Sequence, residues 1–288
     1  MNPGVDLSRG AEDVPVLCEG PSWPDFQYFS GNVQGPGCPV DPGEITLPGC
    51  SCLSRSCCSE SCCCLQMYGR AYDDDAAGRL LDLHRADSGY CSPLFECNAL
   101  CSCSEACSNR VVQKGLQASV QVFHTGDKGW GARTLEDIPC GTFVCEYAGE
   151  VIDFGEARRR QLSQTSEDNN YIIAVREHAA TGSVTETFVD PAQKGNVGRF
   201  LNHSCLPNLF MLPVRVHSVV PRLALFAGQD IKAQEELTFD YSGGYGTQRP
   251  AGAAQASETD ALARKACRCG SNSCTRFLPL DLSVLSSH

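Results

Sequence analysis

Twelve cysteines crowd residues 50–107 of this chain, and nine of them fall into two spaced blocks, Cys50-x-Cys52-x4-Cys57-x4-Cys62-x-Cys64 and Cys97-x3-Cys101-x-Cys103-x3-Cys107. Thiols at that density either pair as disulfides or bind metal, and each outcome fixes a different architecture. Residues 1–20 lack an apolar core like that of a signal peptide, and no stretch approaches a membrane span. The expected compartment is therefore reducing, where metal binding is the commoner fate. Nine thiols do not divide into separate four-thiolate zinc sites, since four and four leave one over. Three zinc ions need twelve coordination positions, and six terminal plus three bridging thiolates supply twelve from nine sulfurs. The short C-x-C steps put sulfurs close enough to be shared. The alternative is a disulfide framework. Cys58 and Cys63 lie inside the first block but outside this spacing, which leaves the local register open by one residue.

A second, smaller set closes the chain. Cys267-x-Cys269-x4-Cys274 is a zinc site short of one ligand. The fourth donor expected is Cys205, which otherwise reads as a small buried apolar residue. Cys205 belongs to the densest polar knot of the sequence, Gly198-Arg199-Phe200-Leu201-Asn202-His203-Ser204-Cys205-Leu206-Pro207-Asn208. Such a cluster is costly to bury unless every polar group finds a partner. A second segment, Glu236-Leu237-Thr238-Phe239-Asp240-Tyr241, follows after the strand-like run Leu223–Ala227.

Between these landmarks the pattern is β-rich. Leu116–Phe123 alternates like a strand, and Thr142–Ile152, Tyr171–Val175 and Thr187–Asp190 read as further strands. Residues 154–164 are the best helix candidate. Short strands separated by Gly and Pro turns indicate small sheets, not a doubly wound fold. Lys128-Gly129-Trp130-Gly131 lacks both phosphate-loop patterns, which disfavours a Rossmann-type nucleotide site. Its glycines instead suit close approach of the backbone to a flat ligand. Residues 1–45 show no sustained period and are expected to form an irregular arm, pinned by Trp23, Phe26, Tyr28 and Phe29 or left as a solvated tail. Residues 65–96 read as a loop between the cysteine blocks.

These motifs resemble, in order, the signature of SET-domain protein lysine methyltransferases: Gly149-Glu150, Gly198–Phe200, Asn202–Cys205 with Pro207-Asn208, and Phe239-Asp240-Tyr241. Leu206 stands where the family often has an acidic residue. The resemblance implies a mainly β fold with short helices, the SET (β-clip) fold, whose two signature segments thread through one another as a pseudoknot. It implies a pre-SET three-zinc module over 46–110, a SET domain over 111–245, a flexible linker over 246–264 and a post-SET zinc module over 265–281. A tail over 282–288 completes the expected layout. The metal ligands it implies are the nine cysteines of the two blocks, with Cys205, Cys267, Cys269 and Cys274 holding a fourth zinc.

The resemblance further implies S-adenosyl-L-methionine as cofactor, bound by the backbone of Lys128, Gly129 and Trp130, by Tyr171, Arg199, Asn202 and His203, and covered by Phe277. Methyl transfer from a sulfonium to an amine is an in-line displacement that develops no discrete anion. It needs alignment, a neutral amine and a dry channel more than a strong base. Tyr147, Tyr171, Phe239 and Tyr241 are the expected walls of that channel, with Tyr241 orienting the target nitrogen. The implied substrate is the histone H3 tail or another lysine-containing basic peptide, with lysine 36 of H3 the first candidate and lysine 4 the second. Thirty-four acidic against 23 basic residues, a net charge of −11, agree with a basic partner and disfavour direct nucleic-acid binding. Nuclear, chromatin-associated action is the implied setting, with no membrane contact. The competing readings are a zinc-stabilised chromatin-binding module without turnover, and a methyltransferase whose main targets are not histones.

Overall fold

The computed structural model describes residues 4–20, 23, 25–53, 56–57, 62–74, 78–81, 93–165, 168–178, 184–242 and 265–279. The expected linker (246–264) and tail (282–288), and Cys58, lie outside the described residues.

Four two-residue strands open the chain: β1 (Val5–Asp6), β2 (Leu17–Cys18), β3 (Gln27–Tyr28) and β4 (Val33–Gln34). Helix α1 (Cys63–Tyr68) starts at the end of the first cysteine block, and β5 (Leu94–Phe95) immediately precedes the second. Next come β6 (Val120–His124), β7 (Trp130–Thr134), β8 (Phe143–Glu146) and β9 (Gly149–Ile152). Helix α2 (Phe154–Ser163) precedes β10 (Ile173–His178) and β11 (Val184–Gly195). The last strands are β12 (Asn202–His203), β13 (Leu209–Arg215), β14 (Arg222–Ala227) and β15 (Thr238–Phe239).

These strands make small sheets, as the sequence pattern predicts: β1-β2-β6-β7, β5-β13-β14-β8, and β10-β11-β9-β4 with β3 beside β11. β12 and β15 form a separate parallel pair, Asn202 opposite Thr238 and His203 opposite Phe239. The two signature segments therefore lie side by side. Strands β8, β9 and β14 are buried almost throughout, which explains their continuous apolar runs.

Three expectations are corrected. Residues 4–34 are not an irregular arm: β2, β3 and β4 join β6, β11 and β9, each in parallel. Asn32 ties the arm further by accepting from the Gly149 amide at 3.2 Å and donating to the Pro221 carbonyl at 3.3 Å. The described part of 65–96 is not a plain loop, because Tyr72 is 1% exposed within a cluster of aliphatic and aromatic side chains and donates to buried Glu96 at 2.9 Å. The first long strand begins at Val120, not Leu116. The helix matches its expectation within one residue. Asp153 caps it by accepting from the Glu156 amide at 2.7 Å.

Candidate active site and metal centres

Sulfur dominates the pre-SET core. Its buried cluster contains Cys50, Cys57, Cys62, Cys64, Cys97, Cys101, Cys103 and Cys107, with Cys52 packed against it and Leu65 the one aliphatic member among the described residues. So little hydrocarbon cannot offset the entropy of ordering these loops, and bound metal can. Three tetrads have their sulfurs within 4.8 Å of one another: Cys50, Cys97, Cys101, Cys103; Cys50, Cys57, Cys62, Cys97; and Cys57, Cys97, Cys103, Cys107. Several cysteines recur between tetrads, as bridging thiolates must. Cys50–Cys57 and Cys57–Cys97 sulfurs are 3.8 Å apart and Cys64–Cys101 3.9 Å. A zinc–sulfur bond of ~2.3 Å in a tetrahedron puts sulfurs about 3.8 Å apart.

The surroundings fit anionic sulfur. Backbone amides of Cys50 and Asn98 each point at the Cys101 sulfur at 3.2 Å. Buried Arg110 reaches Cys103 sulfur at 3.6 Å and has no carboxylate in ion-pair range among the described residues. A buried guanidinium needs negative charge nearby, and a thiolate cluster provides it. No disulfide joins any described cysteine. The donor set fits zinc.

The second centre assembles as the spacing predicts. Cys205, Cys267, Cys269 and Cys274 lie within 4.8 Å of one another, with Cys205 and Cys267 sulfurs 3.9 Å apart. Amides of Thr275 and Arg276 approach Cys205 and Cys274, both at 3.4 Å. Two further contacts dock this segment beside the site: Lys265 donates to the Asp168 carbonyl at 2.5 Å, and Arg268 to the Asp127 carbonyl at 3.0 Å. Phe277 is half-buried and bridges to Ala266 within the same segment.

Between these centres the polar knot is nearly satisfied from within. Asn202 donates to the Trp130 carbonyl at 3.1 Å and to Glu236 at 3.0 Å, and Glu236 also takes Lys128 at 2.5 Å. Asn208 binds Glu235 and the Glu236 carbonyl and accepts from the Thr238 amide. His203 Nδ1 accepts from the Tyr241 amide at 3.3 Å, so its proton sits on Nε2, 3.3 Å from Cys205 sulfur. Both ring nitrogens are thereby engaged with protein, and the imidazole links the zinc staple to Tyr241. Gly129 has φ +74°, a conformation that suits glycine. The closeness at Gly131 serves Asn202 and Thr125: a Cβ there would meet them at 3.0 and 2.7 Å.

Tyr147, Phe239 and Tyr241 form one run of rings, with centroids 5.8 and 4.9 Å apart. The Tyr241 hydroxyl donates to the Leu201 carbonyl at 2.9 Å, and the Tyr147 hydroxyl to the Tyr171 carbonyl at 2.6 Å. Burial, then the nearby Tyr171, push the Tyr241 phenol above its ordinary range. Arg199 is 8% exposed and lies over Tyr171 at 4.9 Å and Phe200 at 5.0 Å. It donates to the Pro191 and Ala192 carbonyls at 3.1 and 3.4 Å. Its nearest ring is Phe26 of the arm, at 4.4 Å. Residues 128–130, 171, 199, 202, 203, 239 and 241 thus converge, with Tyr147 behind them.

Sequence reasoning gave no role to Glu236, the Leu201 carbonyl or Asn196, and gave Phe26 a role only as a pin for the arm. Asn196, which bonds Gly198, Ala148 and the Glu146 carbonyl, carries no sequence signal. Glu236 opens the second signature segment and was available to be read.

The SET domain family profile matches residues 129–242, and the Pre-SET motif profile matches residues 8–110. The cow (Bos taurus) histone-lysine N-methyltransferase SETMAR is 50% identical over 97% of this chain and 90% of its own length. The chain belongs to the SET-domain histone-lysine N-methyltransferases. Human SETMAR is 51% identical over 97% of the chain, which spans 40% of that relative's length. The crystal structure of the human SETMAR methyltransferase domain superposes with a TM-score of 0.81 at 49% identity, covering 96% of this chain and 98% of that one. KRYPTONITE, solved in complex with mCHH DNA, an H3(1-15) peptide and SAH, has a TM-score of 0.72 at 31% identity, over 95% of this chain and 53% of that one. The Pre-SET match starts at residue 8, well before the expected boundary at 46, in keeping with the woven arm.

Proposed function

We propose that this chain transfers methyl groups from S-adenosylmethionine to a lysine of the histone H3 tail, lysine 36 first and lysine 4 second, at least to the dimethyl state. The parallel pairing of β12 with β15, Asn202 opposite Thr238 and His203 opposite Phe239, supports the reading, because it sets the segment that carries Asn202 and His203 beside the one that ends in Tyr241. The cofactor supplies an electrophilic methyl on a sulfonium; the remaining tasks fall to this chain's residues. Arg199 is a buried cation with no carboxylate in ion-pair range among the described residues, so it suits the cofactor's carboxylate. The backbone of Lys128, Gly129 and Trp130, with Asn202 and His203, holds the rest, and Phe277 covers the open side.

Tyr147, Tyr171, Phe239 and Tyr241 exclude water from the incoming amine. Desolvation favours its neutral, nucleophilic form. Ring faces also favour a methylammonium cation. Tyr241, kept protonated, orients the reacting nitrogen and does not act as base. Three zinc ions hold the pre-SET module and one the post-SET staple. The net charge of −11 supports a basic peptide partner on chromatin, in the nucleus.

A methyl-radiolabelled transfer assay on mixed histones, followed by H3 peptides spanning lysine 36 and lysine 4, tests this. Label in H3 is expected. Label confined to non-histone proteins of a nuclear extract would move the substrate elsewhere. Cofactor binding with no transfer to any protein would favour the chromatin-binding module.

A further inference from the structure

The ring nearest the Arg199 guanidinium comes from outside the matched SET domain. Phe26 lies 4.4 Å from Arg199 Cζ, nearer than Tyr171 or Phe200. It also packs edge-on against Phe200, with centroids 5.6 Å apart. The strand that follows Phe26 runs parallel to the end of β11, Gln27 opposite Lys194 and Tyr28 opposite Gly195. The Phe29 amide extends that pairing to the Gly195 carbonyl at 2.8 Å. Lys194 lies two residues beyond Ala192, and Pro191 and Ala192 supply the carbonyls that accept from Arg199. One stretch of the arm thus braces both the guanidinium and the strand that holds its acceptors. On its other side Phe26 lines a cavity of about 580 Å³ together with Trp23, Tyr28, Arg9 and Lys194. Arg199 does not line that cavity.

We propose that Phe26 is a positioning residue for cofactor binding: it keeps Arg199 dry and aligned, so that the N-terminal arm sets the affinity for the cofactor's carboxylate end. The proposal rests on reading Arg199 as the carboxylate site. Arg199 is a buried cation held by neutral carbonyls and ring faces. Removing one face lets water and side-chain motion compete with the ligand. A cation–π contact is strongest where water is excluded, and here the cation is buried and the ring half-buried.

The test uses the full chain and two ligands sharing one nucleoside. S-adenosylhomocysteine carries the carboxylate; 5′-methylthioadenosine lacks the amino-acid portion. Phe26→Leu keeps an apolar side chain but loses the ring face; Phe26→Tyr keeps the ring. For Phe26→Leu, calorimetry should show roughly 2- to 30-fold weaker S-adenosylhomocysteine binding and unchanged methylthioadenosine binding. KM for S-adenosylmethionine should rise by the same factor with kcat at saturation retained. Phe26→Tyr should restore parental affinity. Equal weakening of both ligands would mean general loosening of the site and overturn the proposal, as would parental S-adenosylhomocysteine binding by Phe26→Leu. Arg199→Ala separates the two levels. If it binds S-adenosylhomocysteine normally, the carboxylate reading fails and the inference goes with it. If it binds weakly while Phe26→Leu binds normally, only the inference fails.

Discussion

Tyr241 presents one hydroxyl, and that hydroxyl is committed to the Leu201 carbonyl at 2.9 Å. Tyr241→Phe keeps the ring packed at a tilt against Phe239 and His203 but frees the reacting centre from its anchor. Turnover should fall by ~10²-fold or more, with cofactor affinity nearly unchanged in calorimetry. Near-parental turnover would remove the hydroxyl from the mechanism. Phe239 is 2% exposed, with its ring between Tyr147 and Tyr241. Adding a hydroxyl there places a polar group where a methylated amine must turn. It also gives a water something to hold. Phe239→Tyr should therefore shift product toward monomethyllysine, with later methylations slowed roughly 5- to 150-fold, or about 1–3 kcal/mol. Mass spectrometry of the peptide product reads this, and exclusive monomethylation by the parent chain would assign the limit to another residue. Both residues were legible in the sequence because they close an ordered motif. Phe26 was legible only as a possible pin. A lone aromatic in an aperiodic stretch says nothing of the cation it will cover.

At the scale of elements, legibility tracked length. Helix α2, ten residues long, was legible to within one residue. The arm's strands are two residues each, too short to show a period, and their partners lie far along the chain. Nothing local marks such strands. The join between α2 and the site sheet had no sequence signal either. Arg160 bonds Glu156 on its own helix and reaches Glu150 on β9 and Asp190 on β11, each of the latter at 2.9 Å. Its side chain is 18% exposed, and those of Glu150 and Asp190 10% and 4%. Arg160→Met retains bulk but leaves Asp190 without its cation and Glu150 with Lys194 alone, 3.4 Å away. Breaking such a pair costs about 3–5 kcal/mol, the lower end fitting a site with some solvent access. Equilibrium denaturation in urea should show the loss. A double variant, Arg160→Met with Asp190→Asn, should recover part of it, because one buried charge then disappears. A loss below about 1 kcal/mol would place this join among surface ion pairs.

At the scale of the whole molecule, two cysteine centres with zinc-type donor sets differ in access, and this difference should order the molecule's failure. The cysteines of the three pre-SET tetrads are all buried, whereas Cys205, Cys267, Cys269 and Cys274 are each only half-buried. Both centres were legible as spacings, since thiolate chemistry fixes ligand number. Their unequal exposure was not, because it depends on how the arm, β5 and α1 pack. A competing chelator should reach the exposed centre first. Native mass spectrometry of the untreated chain should count four zinc ions, and mild chelation should take one away before the other three. That loss releases Cys205 from its partners, and with Cys205 the His203 ring that bonds both its sulfur and the Tyr241 amide. Cofactor affinity and turnover should then fall while the thermal midpoint hardly moves, because the β-sheet core does not depend on this staple. Stronger chelation should unfold the pre-SET module, whose metal-binding energy is its folding energy. Hydrogen exchange would show residues 46–110 losing protection only in this second stage. Simultaneous loss of all four ions, or activity that survives the first loss, would show that the post-SET staple does not hold the active site together.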